Sequence, residues 1–269
     1  LGHGAKRDRK APLRSFAGTM SAVRTAFRWL FAGAFWMITV SVLWVLLLAI
    51  ADPPVTWVMA EQAGEQKSFH RNWRDLEEIS HEMPLAVMAA EDQKFMDHHG
   101  FDMEAIRRAM DFNARKKGKR VKGASTISQQ TAKNVFCWPG RTFVRKGLEA
   151  WFTVLIEVLW TKERIIEVYL NVAETGKGCF GVEAASQHCF GRPASRLTRT
   201  QAALIAAVLP APRRFDCARP SGYVGRRQGW IVRQMNNLGD LFDPAVRELM
   251  RQELDRKEER EQRIRNRKK

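Results

Sequence analysis

Apolar residues dominate one long uncharged stretch in this chain, Trp29 to Ala51, and elsewhere recur at spacings of three and four. The stretch is 23 residues without a charge. As a helix it would span about 34 Å against a bilayer core of about 30 Å, which predicts a membrane-crossing segment. From Pro84 onward the spacing is helical, and no run alternates apolar and polar residues as a half-buried strand does, so the expectation is a mainly α domain. Expected helices run from Asp102 or Met103 to about Arg115, from Ser125 as N-cap to Phe136, from Phe143 to about Trp160, and from beyond Thr161 to near Asn171. Another runs from Val182 to Phe190, stopped by Gly191. Thr198 with Gln201 has the form of a capping box and opens an Ala-rich helix that Pro210 ends, and Ser221 and Asp243-Pro244 are two further starts. Asp52 to Ser80, with Pro53, Pro54, Trp57 and Trp73, predicts a connector near the membrane interface, ordered only by contact. The boundaries are then a basic N-terminus over 1–28, an anchor over 29–51, the connector over 52–80, a helical domain over 81–240 and a charged, solvated tail over 241–269.

Charge decides the orientation of the anchor. Lys6, Arg7, Arg9, Lys10, Arg14, Arg24 and Arg28 precede it against one acid, Asp8, so the N-terminus is expected in the cytoplasm and the rest outside. A cleaved signal peptide is the rival, since Ala49-Ile50-Ala51 has the small-x-small form of a cleavage site. The apolar run exceeds the roughly 7 to 15 residues of a signal core, which favours a retained anchor. Taking the anchor and its flank from the chain's 45 Lys/Arg and 29 Asp/Glu leaves an outer part that still carries about +10. That excess suits an anionic partner, nucleic acid or anionic lipid. A domain outside the inner membrane meets phospholipid and no DNA. Cys137, Cys179, Cys189 and Cys217 show no C-x-x-C spacing, so neither a zinc site nor a redox motif is indicated. They read as scattered small apolar residues, with room for one disulfide in an oxidising compartment.

The candidate chemistry centres on Ala89 to Asp102, AAEDQKFMDHHGFD. Here Glu91 and Asp92 end an apolar run containing Leu85, Val87 and Met88, and acids at the exit of a buried segment are where a base of raised pKa can be built. A second stretch, GASTISQQTAK (Gly123 to Lys133), lies about thirty residues on. Together, EDxxFxxHxG over Glu91 to Gly100 and GxSTISQQxxK over Gly123 to Lys133 resemble the first two signature motifs of the peptidoglycan glycosyltransferases, family 51 of glycosyltransferases. The resemblance continues through RKGLEA (Arg145 to Ala150), KERIIEVYLN (Lys162 to Asn171) and GVEAASQHCFGR (Gly181 to Arg192). The larger relatives add a penicillin-binding transpeptidase marked by S-x-x-K and K-T-G. Neither occurs here, so the chain resembles the monofunctional form.

The resemblance implies a lysozyme-like, two-lobed helical domain on one transmembrane helix, in a bacterial inner membrane with the catalytic domain on the periplasmic side. It implies a polymerase that transfers a growing lipid-linked glycan to the 4-hydroxyl of lipid II and releases undecaprenyl pyrophosphate with inversion. Such a reaction needs a base for the hydroxyl and cations for the departing charge. Glu91 matches the family's catalytic glutamate, and Asp92 beside it is expected in support. Lys133 and Arg141 match residues that hold the donor pyrophosphate, and Arg108 matches another substrate contact. Ser125, Thr126, Gln129 and Gln130 lie in the first turns of their helix, where free N–H groups favour an anion. Glu149 matches the family's second acid, with Arg145 four residues before it on the same face. Relatives often have a lysine just before that acid. This chain has Leu148, and Lys146 is expected on a different face. Phe95, His98 and Gly123 read as residues that shape the site.

Two patterns lead elsewhere. Gly176 to Gly181 fits G-x-G-x-x-G, yet no strand precedes it and no acid follows at about twenty residues, so it does not read as a dinucleotide site. His98-His99 lacks the H-E-x-x-H of a zinc helix. Arg115 to Lys122, RKKGKRVK, reads either as a solvated linker or as a flap that meets pyrophosphate. A divalent cation, Mg or Mn, is the cofactor the family implies. The expected partners are lipid II, the growing lipid-linked glycan, the anionic phospholipid membrane and other cell-wall synthesis or division proteins, with no nucleic acid. The rivals are a membrane-anchored lytic enzyme of lysozyme-like fold, which has no use for Lys133 and Arg141 beside the glutamate, and a non-enzymatic basic membrane scaffold. A reporter fused after Lys269 should be active only outside the cytoplasm, and a mature N-terminus found at Asp52 would overturn the anchor.

Overall fold

The uncharged stretch is the C-terminal part of one long helix, α1 (Ala11–Ile50). This computed structural model describes residues 11–66, 70–116, 123–140 and 142–239, together with Phe242, Val246, Leu249 and Arg256. Arg24–Ile50 is long and apolar enough to cross a membrane. The helix begins well ahead of that span because its only proline, Pro12, falls in the first turn, where a missing N–H costs nothing. Trp29, Phe31 and Leu47 are uncovered by protein, as a lipid-facing surface requires.

From Ala49 onward the chain forms a second unit. Its elements are α2 (Trp57–Gln66), α3 (Glu82–Glu91), α4 (Met103–Arg115), α5 (Ile127–Phe136), α6 (Phe143–Leu159), α7 (Lys162–Val172), β1 (Glu174–Gly176), β2 (Cys179–Phe180), α8 (Val182–Phe190), α9 (Arg199–Val208) and α10 (Gly222–Leu238). Met83 to Ala89 of α3 are all buried, so the helix is apolar all round and needs cover on every side. The packing supplies it with α9, α10 and α7. α5 packs against α6 and α7, with the Phe136 and Phe152 rings stacked at 4.4 Å. The two groups meet where α3 ends and α5 begins.

Caps set the helix edges. Asp102, Thr142, Thr161, Thr198 and Ser221 each accept a backbone N–H of their helix's first turn, at the starts the sequence predicts. One start differs. The N-cap of α5 is Thr126 and not Ser125, because Gln129 reaches back to the Thr126 N–H and closes a capping box. Three residues after Ser125 stands Ser128, whose hydroxyl instead donates to Glu157. Asp243-Pro244 and most of the tail lie outside the described residues.

The connector is more than a connector. Residues 57–66 form α2, and a 3₁₀ turn covers Leu76–Glu78. Thr56, just before α2, and Met59 and Gln62 within it form the buried stripe, and its polar members disguise it as surface. Gln62 is polar for a reason, since its Oε1 accepts the Gly178 N–H at 3.1 Å. The absence of strands is also corrected: β1 and β2 pair antiparallel. Strands this short carry no legible alternation. The G-x-G-x-x-G run is the hairpin's turn and exit, with Gly178 and Gly181 at positive φ. Cys189 and Cys217 form a disulfide that ties the end of α8 to the segment after α9, while Cys137 and Cys179 are free.

Gly181, at φ +80°, has no room for a side chain, because a Cβ would lie 2.9 Å from the Asn171 carbonyl oxygen. Asn171 cannot retreat, as its carboxamide bonds the Arg74 N–H and the carbonyls of Arg74 and Glu167. Gly181→Ala should therefore cost about 2 kcal/mol or more of stability, summing an unfavourable φ and a backbone clash, read as a lowered thermal midpoint.

Candidate active site

Asp92 is the C-cap residue of α3, and its carboxylate is buried. One oxygen accepts the Ile127 N–H at 3.0 Å, the first residue of α5, and His98 Nε2 lies 3.0 Å from both oxygens. His98 Nδ1 accepts the Gly100 N–H at 3.2 Å, so the proton sits on Nε2 and is donated to Asp92. Thr126 closes the loop from the other side, its hydroxyl donating to the Gly100 carbonyl at 2.7 Å. Lys162 Nζ sits 4.6 Å from the centre of the buried Phe95 ring and donates to the His98 carbonyl at 2.6 Å and to Glu157 at 2.9 Å. The first, second and fourth motifs thus lock one loop, residues 92–100, in place.

That loop holds Glu91 at the mouth of the α3–α5 junction. Gln130 Nε2 donates to its Oε2 at 3.1 Å, and Arg227 of α10 donates to its Oε1 at 3.3 Å. Burial pushes the Glu91 carboxyl above the ordinary carboxylate range, against the opposing pull of Gln130, Arg227 and Lys133. The Tyr169 hydroxyl donates to Gln130 Oε1 at 3.4 Å and so orients the carboxamide, and burial raises that phenol well above its usual range.

Lys133 lies one turn along α5 from Gln130. Among the described residues its ammonium makes no hydrogen bond or ion pair. Burial lowers its pKa, while Glu149 and Glu91 pull it back up. Glu149 is buried, with Arg145 at 3.3 Å and Lys146 also donating to it. It is no surface pair, and the expected divergence of Lys146 is corrected: three residues along a helix is close enough for a long side chain to reach. A cavity of about 690 Å³ opens beside Gln130, Lys133 and Arg145 and continues past Tyr169 to Glu174, Arg213 and Arg214.

Other expected residues stand apart. Arg108 is exposed and pairs with Glu104 of its own helix at 2.6 Å. Ser125 and Gly123 are exposed, the Gln129 carboxamide is committed to the capping box, and both Asp92 oxygens face protein partners. Arg141 and residues 117–122 of the basic run lie outside the described residues. Arg227 is the residue that sequence reasoning missed, and a signal was present. Val224, Ile231 and Met235 are the buried stripe of α10, and Arg227 is a charge inside it.

The family model described as "Transglycosylase" matches residues 58–236. The chain belongs to the transglycosylase family. It is a glycosyltransferase by that membership, and the family's model begins within α2, so the segment expected to be a connector is part of the family domain. Similar proteins include the "Biosynthetic peptidoglycan transglycosylase" of Xanthomonas campestris pv. campestris (strain B100), 55% identical over 223 residues that cover 80% of this chain and 90% of that one. The proteins of the same name from Pseudomonas aeruginosa (50% over 223 residues, 81% and 95%) and Shewanella oneidensis (48% over 233 residues, 85% and 99%) are similar over nearly their whole lengths.

Asp92→Ala would leave the His98 ring and the Ile127 N–H without their acceptor in a dry site, so it should cost about 2–4 kcal/mol in denaturant unfolding. A loss below about 0.5 kcal/mol would show the junction to be held by packing alone.

Proposed function

We propose that this chain polymerises peptidoglycan glycan strands, transferring the growing lipid-linked glycan to the 4-hydroxyl of lipid II and releasing undecaprenyl pyrophosphate. The observation that carries this reading is a half-buried acid of raised proton affinity, Glu91, within electrostatic reach of an equally half-buried ammonium, Lys133, that makes no hydrogen bond or ion pair among the described residues. Glu91 takes the proton of the acceptor hydroxyl as that oxygen bonds to the donor's anomeric carbon. The bond to the pyrophosphate oxygen breaks on the opposite face, which inverts the carbon. Lys133 and Arg145, both lining the cavity, supply positive charge where the leaving group gains negative charge. Glu149, buried between Arg145 and Lys146, keeps those two cations in place. A lytic enzyme would bind neutral glycan and has no need of this cation set. A scaffold has no need of a base.

The described residues offer no all-protein ligand set for the divalent cation that the family implies. No group of three or more His, Cys, Asp or Glu among them is placed to ligate one, and Asp92 is already engaged by His98 and Ile127. The membrane reading rests on α1, whose apolar span fits a single-pass anchor. With the domain outside the cytoplasm it faces anionic phospholipid and the cell-wall enzymes that work there.

Glu91→Gln keeps the shape and the Gln130 contact but removes the proton acceptor. With lipid-linked disaccharide-pentapeptide as substrate, polymerisation should fall by about 10² to 10⁴-fold. The parental rate should show an acidic limb above the ordinary glutamate range, lost as pH falls and the base is protonated. Because the folded state raises this carboxyl's pKa, its contribution to stability is present at low pH and lost as pH rises through the folded value. The charged form is therefore a cost at neutral pH, and Glu91→Gln should unfold at or above the parental temperature. Polymerisation at close to the parental rate would remove Glu91 from the mechanism.

A further inference from the structure

Arg227 belongs to none of the motifs that carry the resemblance, yet it is the one described cation that touches Glu91. A single nitrogen, Nη2, lies 3.3 Å from both Glu91 Oε1 and the Ala90 carbonyl oxygen. It therefore grips the carboxylate and the last turn of α3 together. Its side chain is 21% exposed and that of Glu91 15%, so solvent screens the pair only in part. Among the described residues the Arg227 Nε is buried without a hydrogen-bond partner. An arginine placed only to stabilise packing would be poorly served by such a position.

We propose that Arg227 is a positioning residue for the transfer reaction, holding the Glu91 carboxylate charged and turned toward the acceptor hydroxyl. This rests on the reading of Glu91 as the base. The groups that face Glu91 are Asp92 from its own helix, Gln130 and Lys133 from α5, Tyr169 from α7 and Arg227 from α10; the Arg199 of α9 is paired at the far end of α3, with Glu82. Of these, burial and Asp92 disfavour the charged form, and Gln130, Arg227 and Lys133 favour it. Lys133 faces the cavity, where an incoming pyrophosphate would compete for its charge. Arg227 does not line that cavity. Its charge therefore stays with the base when the site fills, which is what a base needs while an anion is bound nearby. Gln130 holds the other oxygen, so between them the two side chains fix the plane of the carboxylate.

The test is the pH dependence of polymerisation by the full-length protein in detergent, with lipid-linked disaccharide-pentapeptide as substrate. In Arg227→Met the acidic limb should move to higher pH, turnover at neutral pH should fall by about tenfold or more, and much of it should return as pH rises. KM should change little, and Arg227→Lys should keep its limb near the parental position. Arg226→Gln, on an exposed neighbour, controls for loss of one positive charge. If Arg227→Met fails a thermal-unfolding check, Arg227→Gln is read instead, since it can still bond the Ala90 carbonyl but carries no charge. An unmoved limb overturns the proposal, and a raised KM with an unmoved limb would make Arg227 a substrate contact. Failure of the base reading looks different, because then Glu91→Gln itself would retain turnover.

Discussion

One buried carboxylate, that of Asp92, joins the end of one helix to the start of another, and the geometry of the site depends on it. Asp92 terminates α3 and accepts the first N–H of α5, where the helix dipole is positive. Its second partner, the His98 imidazole, is held by Gly100, whose carbonyl is held in turn by Thr126, the N-cap of α5. The chain of bonds therefore returns to the helix from which it began. Glu91 is the residue before Asp92, and Gln130 and Lys133 lie one and two turns into α5. Fixing the junction fixes Glu91 relative to Lys133.

The electrostatics of the site follow from placing charges where water is scarce. Burial disfavours the charged forms of both Glu91 and Lys133, and each one's charge favours the other's. Glu149 plays a second balancing role. Its single negative charge pairs with both Arg145 and Lys146 and offsets one of their two positive charges. In the function proposed above, an arriving pyrophosphate meets cations that Glu149 already aims. This is electrostatic preorganisation in structural terms: the acid that holds the cations need not touch the reacting atoms.

Much of this was legible in the sequence, and the reasons for the rest are local. Helix starts at Asp102, Thr142, Thr161, Thr198 and Ser221 were readable because a capping side chain acts on its own first turn, a short-range effect. α2 was missed because its buried face carries the polar Gln62, whose partner, the Gly178 N–H, is supplied from 116 positions away. The β1–β2 hairpin was missed because its strands are three and two residues long. Glu91, Lys133 and Glu149 came from motifs. The partner of Glu149 was half-read, since i,i+4 spacing gave Arg145 but the reach of Lys146 at i,i+3 was set aside. Arg227 lies 136 positions from Glu91, and only the packing of α10 on α3 brings them together.

The packing also explains why the hairpin and the segment after α9 are so firmly held. The cavity that begins at Gln130 runs on to Glu174 of β1 and to Arg213, which pairs with Glu174 at 2.9 Å. β1 is fixed through Thr175, whose hydroxyl donates to the Cys179 carbonyl, and through Gly181, pressed against Asn171 of α7. The segment carrying Arg213 and Arg214 is fixed by the Cys189–Cys217 disulfide and by the stacking of Phe215 on Tyr223 of α10. A wall built from a short hairpin and a loop has few backbone bonds of its own. A covalent bridge and contacts to α7 and α10 add to them, and the same two helices carry Tyr169 to Gln130 and Arg227 to Glu91. The wall of the cavity and the setting of Glu91 are thus supported by one pair of helices, so a change that loosens either helix is felt at both.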